Sequence, residues 1–262
     1  MAEDHGRLLA ALRERLELEL SGGLDVLPRA QRPSGPTSVA PPAAAPRIAS
    51  PSTPASAPRK LPIHPAADTP LGQVCAEALG CTRCKLAKTR TQVVFGVGNP
   101  KSPLMFVGEA PGADEDEQGE PFVGRAGQLL TKLLAEAGLT RGEVYIANVL
   151  KCRPPGNRPP EADEVAQCTS WLRKQLELIR PKLLCTLGNP SLKIFLGDDK
   201  RIMQARGRFY PKDEFLVFPT LHPSYLLRTP GDMHLVQTDF RNLAEKYREI
   251  MKESGAGGRP SQ

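Results

Sequence analysis

Six cysteines, a His-Pro-Ser turn and a few acids and amides at loop positions are the residues of this 262-residue chain that could do chemistry. Cys81 and Cys84 form a C-x2-C, and Cys152 and Cys168 extend it to C-x2-C-x67-C-x15-C. Cys152 lies in the Pro-rich loop KCRPPGNRPP and Cys168 in the first turns of the helix pattern that follows, both places where a loop can be clamped. Four thiolates can hold either a tetrahedral zinc or a [4Fe-4S] cluster, and the spacing does not choose between them. Cys75, on a helix pattern just before the pair, and Cys185, inside an apolar run, read as core thiols.

The remaining chemistry must be positioned by regular elements. Short apolar runs predict strands at Leu104–Val107, Val144–Leu150, Lys182–Gly188 and Phe215–Phe218. Between and after them, helix patterns run from Gly124 to Ala137, from the Pro- and acid-rich start at Pro159 to Ile179, over Asn189–Leu196 and over His234–Lys252. The strands are continuously apolar rather than alternating. That pattern predicts a three-layer α/β/α fold with a mostly parallel, four-stranded central sheet covered on both faces. Ligands of such sheets sit beyond the carboxyl ends of the strands. Here those ends read Gly108-Glu109, Asn148, Gly188-Asn189 and Pro219-Thr220-Leu221-His222. The segment GEAPGADEDEQGEPFVGRAGQLL (Gly108–Leu130) fits neither GxGxxG nor the P-loop, which argues against a nucleotide cofactor.

Outside this body the composition changes. Residues 1–20 carry a leucine stripe among Arg and Glu, a candidate amphipathic helix for a protein partner. Residues 21–69 are Pro/Ala-rich and read as a disordered linker, with twelve of the 27 prolines between 28 and 70. The folded domain is assigned to 70–252 and a flexible tail to 253–262. The domain holds 26 basic against 21 acidic residues and so most of the net charge of +6, a mild excess that suits a polyanion without requiring one. No apolar run reaches the roughly 20 residues of a membrane span, and no secretory leader pattern opens the chain. A cytoplasmic setting follows as the expectation.

Taken together, GEAPG, PFVGRAGQLL, YIANVLKCRPP and HPS, in that order and with the four-cysteine spacing, closely resemble the family 4 iron–sulfur uracil-DNA glycosylases over nearly all of 70–252. The resemblance implies uracil-containing DNA as partner and hydrolysis of the uracil N-glycosidic bond, leaving an abasic site for base-excision repair. It selects a structural [4Fe-4S] cluster on Cys81, Cys84, Cys152 and Cys168. It implies that Phe122 stacks on the extruded base and that Asn148 reads its edge, donating to O4 and accepting from N3–H. It implies that His222 stabilises the charge growing on O2 with help from the backbone of Ala110, that Glu109 serves water and the cationic sugar, and that Glu115 guards the C5 side against the thymine methyl. Asp114, Asp116, Glu117 and Glu120 read as solvated acids.

For DNA contact the sequence offers Ser224 and Arg228 to phosphate, Leu226 or Leu227 as a wedge into the stack, and Lys85, Lys88, Arg90, Arg153 and Arg158 around the cysteine loops. Three rivals make distinct predictions. A relative that traps DNA covalently uses a His in the loop after the Asn strand, and KCRPPGNRPPEADEVAQC has none. An inactive scaffold would not need Glu109, Phe122, Asn148 and His222 together, and a zinc hydrolase would be colourless. No lysine stands among the motifs as a Schiff-base nucleophile, so a monofunctional, monomeric glycosylase without strand incision is expected.

Overall fold

A computed structural model describes residues 65–256. The expected helix at 1–20, the linker up to residue 64 and the tail beyond 256 lie outside the described residues. The C-terminal helix runs on through Ala256, so the residues just after 252 are helical and not yet tail.

The sheet consists of β1 (Val97–Gly98), β2 (Leu104–Gly108), β3 (Tyr145–Asn148), β4 (Leu183–Leu187), β5 (Tyr210–Lys212) and β6 (Phe215–Thr220), in the order β1-β3-β2-β4-β6-β5. The four predicted strands form its parallel centre, β3-β2-β4-β6. Two short antiparallel edge strands, β1 and β5, extend that centre beyond the four strands expected. Every residue of β2, β3 and β4 is buried, as the continuous apolar runs required.

The helices are α1 (Pro70–Leu79), α2 (Ala113–Gln118), α3 (Arg125–Glu136), α4 (Ala162–Ile179), α5 (Asn189–Leu196), α6 (Ile202–Ala205), α7 (Pro223–Leu226) and α8 (Met233–Ala256). Strand alternation divides the interior into two cores. Leu104, Phe106, Ile146, Cys185 and Phe218 face α3 and α8, whereas Met105, Val107, Tyr145, Leu184 and Val217 face α1 and α4. The chain passes from β2 to β3 on one side and then over to β4 on the other. The direction of winding therefore reverses at β2, and the strand ends beyond Gly108 stand at the switch point where such sheets take their ligands.

Candidate active site and cysteine pocket

Four strand ends meet at that switch point. Gly108 pairs with Asn148 across β2 and β3. The register continues one step further, because Val149 N donates to Gly108 O and Leu150 N to Glu109 O, each at 3.0 Å. Gly108 is where the site closes in. A Cβ there would stand 2.3 Å from Asn148 Oδ1 and 2.5 Å from Phe122 Cζ, so glycine is the residue that lets amide and ring share one space. His222 completes the group: its ring centroid lies 5.6 Å from that of Phe122 at 34°, and its Cβ lies 3.1 Å from where a Cβ on Gly188 would project. Phe122, Asn148 and His222 are thus brought together, with Glu109 and Ala110 next in the chain after Gly108.

Asn148 is 2% exposed and its Oδ1 is buried with no hydrogen-bond partner. An unpaired buried carbonyl costs about 1–3 kcal/mol, which a ligand N–H placed there would recover. The backbone of this residue is pinned instead of its amide: Lys151, itself buried, donates from Nζ to Asn148 O at 2.7 Å and to Gln175 Oε1 at 2.6 Å.

His222 caps the short helix α7 with its own side chain. Ser224 N donates to Nδ1 at 3.1 Å, and the Ser224 hydroxyl lies 2.7 Å from the same nitrogen. A nitrogen that accepts from a backbone amide carries no proton, so the neutral ring holds its proton on Nε2 as a donor. Burial, assisted by the Arg228 charge, pushes the His222 pKa down to about 4. The ring is neutral at physiological pH. The Ser224 hydroxyl, expected at phosphate, is engaged with His222. Burial raises the Glu109 carboxyl above its ordinary value.

Phe122 sits at φ 57°, a left-handed conformation rare for a bulky residue and costing roughly 1–3 kcal/mol. Its surroundings hold it there. Glu115 Oε1 accepts from the amides of Val123 and Gly124, each at 2.9 Å, and Glu115 Oε2 from Gly112 N at 3.1 Å. The Glu115 carboxylate is thereby committed to the turn that carries Phe122. Asp116, read from sequence as a solvated acid, is 4% exposed and accepts from Thr91 N at 2.9 Å, tying α2 to the segment after the cysteine pair. Glu120, likewise, pairs with Arg141 at 3.2 Å.

Of the two candidate wedges, Leu226 is 1% exposed and belongs to the core, which removes it from that role; Leu227 is 38% exposed. Arg228 is exposed beside it. The basic residues around the cysteines divide similarly. Lys85 is paired with Glu161 and Asp163, and Arg158 with the buried Glu164 at 2.5 Å. Arg90 is committed to Cys81 O at 2.7 Å and to Cys152 Sγ. These three serve the loops before any phosphate, because their charges are already matched or their donors already spent.

Cys81, Cys84, Cys152 and Cys168 line one pocket with Ala78, Arg90 and Trp171. Three of the sulfurs accept N–H groups: Cys81 from Trp171 Nε1 at 3.4 Å, Cys152 from Arg90 Nη1 at 3.4 Å, and Cys168 from Lys151 N at 3.2 Å. Burial raises the thiols of Cys152 and Cys168, the latter to about 11. Among the described residues no three His, Cys, Asp or Glu side chains gather closely enough to hold a single metal ion. Cys75 and Cys185 are buried in the core, as expected. The pocket lies toward the α1/α4 core and the Phe122 site toward the α3/α8 core, so the segment from Asn148 to Cys152 joins them.

A parallel sheet that gathers an aromatic ring, an unpaired amide oxygen and a neutral imidazole at its switch point makes an α/β-class site suited to a flat, hydrogen-bonding ring. The family model of the uracil DNA glycosylase superfamily matches residues 95–248. The type-4 uracil-DNA glycosylase of Sulfurisphaera tokodaii is 45% identical over 67% of this chain and 84% of its own length, and that of Thermotoga maritima 45% identical over 67% and 91%. A type-5 uracil-DNA glycosylase of Pyrobaculum aerophilum is 31% identical over 60% of this chain and 75% of its own length. The chain belongs to the uracil DNA glycosylase superfamily, and within it to the type-4 enzymes.

Proposed function

We propose that this protein removes uracil from DNA by hydrolysing its N-glycosidic bond, with Phe122, Asn148 and His222 as the walls of the base pocket. The observation that carries this reading is the buried, unpaired Oδ1 of Asn148 beside the Phe122 ring. An acceptor in that position suits the N3–H of uracil. Cytosine presents a lone pair at N3 and would leave both groups unpaired, a mismatch that can reject the wrong base by roughly 10⁴-fold. Thymine shares the uracil edge, so its exclusion must be steric. Since the Glu115 carboxylate is tied to backbone, the guard on the C5 side is the turn it braces rather than its charge.

As the bond breaks, negative charge grows on the uracil O2 and positive charge on the sugar. Neutral His222 donates from Nε2 to O2 without giving up its proton, an arrangement oriented before the reaction by Ser224 and therefore without reorganisation cost in the transition state. The Ala110 amide is the second donor in this reading. Glu109 holds water and faces the cationic sugar. Leu227 fills the gap left by the extruded nucleotide, with Arg228 at the backbone.

The cysteine pocket fits a [4Fe-4S] cluster on Cys81, Cys84, Cys152 and Cys168. Four sulfurs share one pocket with N–H donors already aimed at three of them, the environment in which clusters are held. A tetrahedral zinc would require its sulfurs about 3.8 Å apart at Zn–S distances of about 2.3 Å, a tighter grouping than a four-iron cage needs. When bound, the cluster would supply a cross-link between the segment after α1, the loop after β3 and α4. Removal of a base by water transfers no electrons.

The domain assignment of 70–252 with a separate N-terminal segment, the monomeric state and the cytoplasmic setting belong to the same proposal; among the described residues no helix is long and apolar enough to cross a membrane. The test is release of free uracil from U:G and U:A duplexes, with T:G and C:G as controls, by wild type, Asn148→Ala and His222→Ala. The reading predicts release by wild type alone at rates well above both variants. Equal rates for wild type and Asn148→Ala would overturn it, and a DNA adduct surviving denaturation would show trapping instead of turnover.

A further inference from the structure

We propose that Arg141 is a positioning residue for base stacking: from the loop between α3 and β3 its guanidinium holds Phe122 in the left-handed backbone conformation that presents the ring to the pocket. The inference deepens the reading of Phe122 as the uracil platform and rests on it.

A bulky residue at φ 57° relaxes toward the ordinary extended or right-handed regions unless its neighbours forbid it. Three things forbid it here. Arg141 Nη2 donates to Pro121 O at 2.8 Å and Nη1 to Phe122 O at 3.0 Å, gripping two successive carbonyls with the two prongs of one planar group. Glu115 grips the two amides that follow, those of Val123 and Gly124. Gly127 then closes the space behind: a Cβ there would fall 1.8 Å from Phe122 O. The positive and negative groups thus hold the two edges of one peptide, that between Phe122 and Val123, with Arg141 on its carbonyl and Glu115 on its amide. A charged donor on a carbonyl is among the stronger hydrogen bonds a protein makes.

The hydrogen bonds of Arg141 also specify its job. Its side-chain contacts go to Glu120, Pro121 and Phe122, within the turn itself. The side chain is 22% exposed and so stands at the edge of the fold, outside the apolar core. Release of the carbonyls would let the ring leave its place 5.6 Å from His222 and against Gly108. An arginine is needed because a lysine ammonium is a point donor and cannot span both carbonyls in the same plane.

The test is a double-mutant cycle on single-turnover uracil release, combining Arg141→Gln with Phe122→Ala in the full-length, cluster-loaded protein. The proposal predicts that Arg141→Gln lowers kcat/KM by roughly ten- to hundredfold, the usual worth of one or two charged hydrogen bonds, with affinity for undamaged duplex unchanged. Arg141→Lys should recover part of the loss. In the Phe122→Ala background, Arg141→Gln should cost less than about twofold, because the ring it positions is gone. Additive losses would overturn the proposal, as would an Arg141→Gln enzyme within threefold of wild type. If Arg141→Gln melts below the assay temperature, the cycle is run with Arg141→Lys and judged by the same additivity. A Phe122→Ala enzyme that releases uracil normally would instead refute the platform reading, an outcome distinct from failure of the clamp.

Discussion

Gly108→Ala is the smallest change that should disable the site. The added methyl would lie 2.3 Å from Asn148 Oδ1, 2.5 Å from Phe122 Cζ and 2.9 Å from Phe122 Cε2. Ordinary contact begins near 3.4 Å, so amide and ring must each retreat by about 1 Å. A misplacement of about 1 Å at reacting groups costs on the order of 10²-fold in rate, equivalent to about 2.7 kcal/mol of transition-state stabilisation. Overpacking adds roughly 1–3 kcal/mol of lost stability. The assay is single-turnover release of uracil from a U:G duplex, with thermal melting and undamaged-duplex binding measured in parallel. Gly142→Ala is the control, since a Cβ there meets nothing within 4 Å. A Gly108→Ala enzyme within threefold of wild type, or a Gly142→Ala enzyme equally impaired, would refute the geometry of the pocket.

Other consequences can be checked alongside it. In the proposed reading Glu109 acts ionised and His222 neutral; burial raises the Glu109 carboxyl above its ordinary value and pushes the His222 pKa down to about 4, so the acid limb of kcat/KM should report Glu109 first and steepen near pH 4. Glu109→Gln should lower the rate and move that limb down toward pH 4; an unmoved limb would exclude Glu109 as its source. Leu226→Ala should destabilise the fold by about 2–5 kcal/mol through a core cavity, whereas Leu227→Ala should change stability by roughly 0.5 kcal/mol or less yet slow release from duplex more than from single strands. The reverse pattern would reassign the wedge. Trp171, the sole tryptophan, donates to Cys81 Sγ, so iron removal should change its emission together with loss of brown colour and a lowered melting temperature. A colourless protein with stoichiometric zinc and unaltered emission would contradict the cluster assignment.

Much of this arrangement was legible in the residues because parallel strands buried on both faces leave continuous apolar runs. Leu104–Gly108 and Leu183–Leu187 could be placed to within a residue or two for that reason. The edge strands could not, since Val97–Gly98 and Tyr210–Lys212 are too short to show a period and take their form from pairing with neighbours. The acidic run Asp114–Glu120 illustrates a deeper limit. All of it except Glu115 read as solvated charge, yet it forms α2 and buries Asp116, while Glu115, expected in the base pocket, is committed to three amides. Those partners are backbone groups, three to nine residues from Glu115 and 25 from Asp116, which no residue type announces. Leu226 and Leu227 are chemically identical, and only the phase of the four-residue helix α7 separates core from surface. Arg141 was missed because nothing in the sequence around it marks a turn 20 residues upstream as its target; Gly-rich turns that hold an aromatic at positive φ are the signal to search for such a partner.

The most direct measurement is a crystal structure of the cluster-loaded enzyme with free uracil or with product DNA. The uracil ring should lie offset on Phe122, with N3 within about 3.2 Å of Asn148 Oδ1 and O2 at the same range from His222 Nε2. Uracil bound elsewhere, or bound here with Asn148 Oδ1 still unpaired, would contradict the assignment of this pocket.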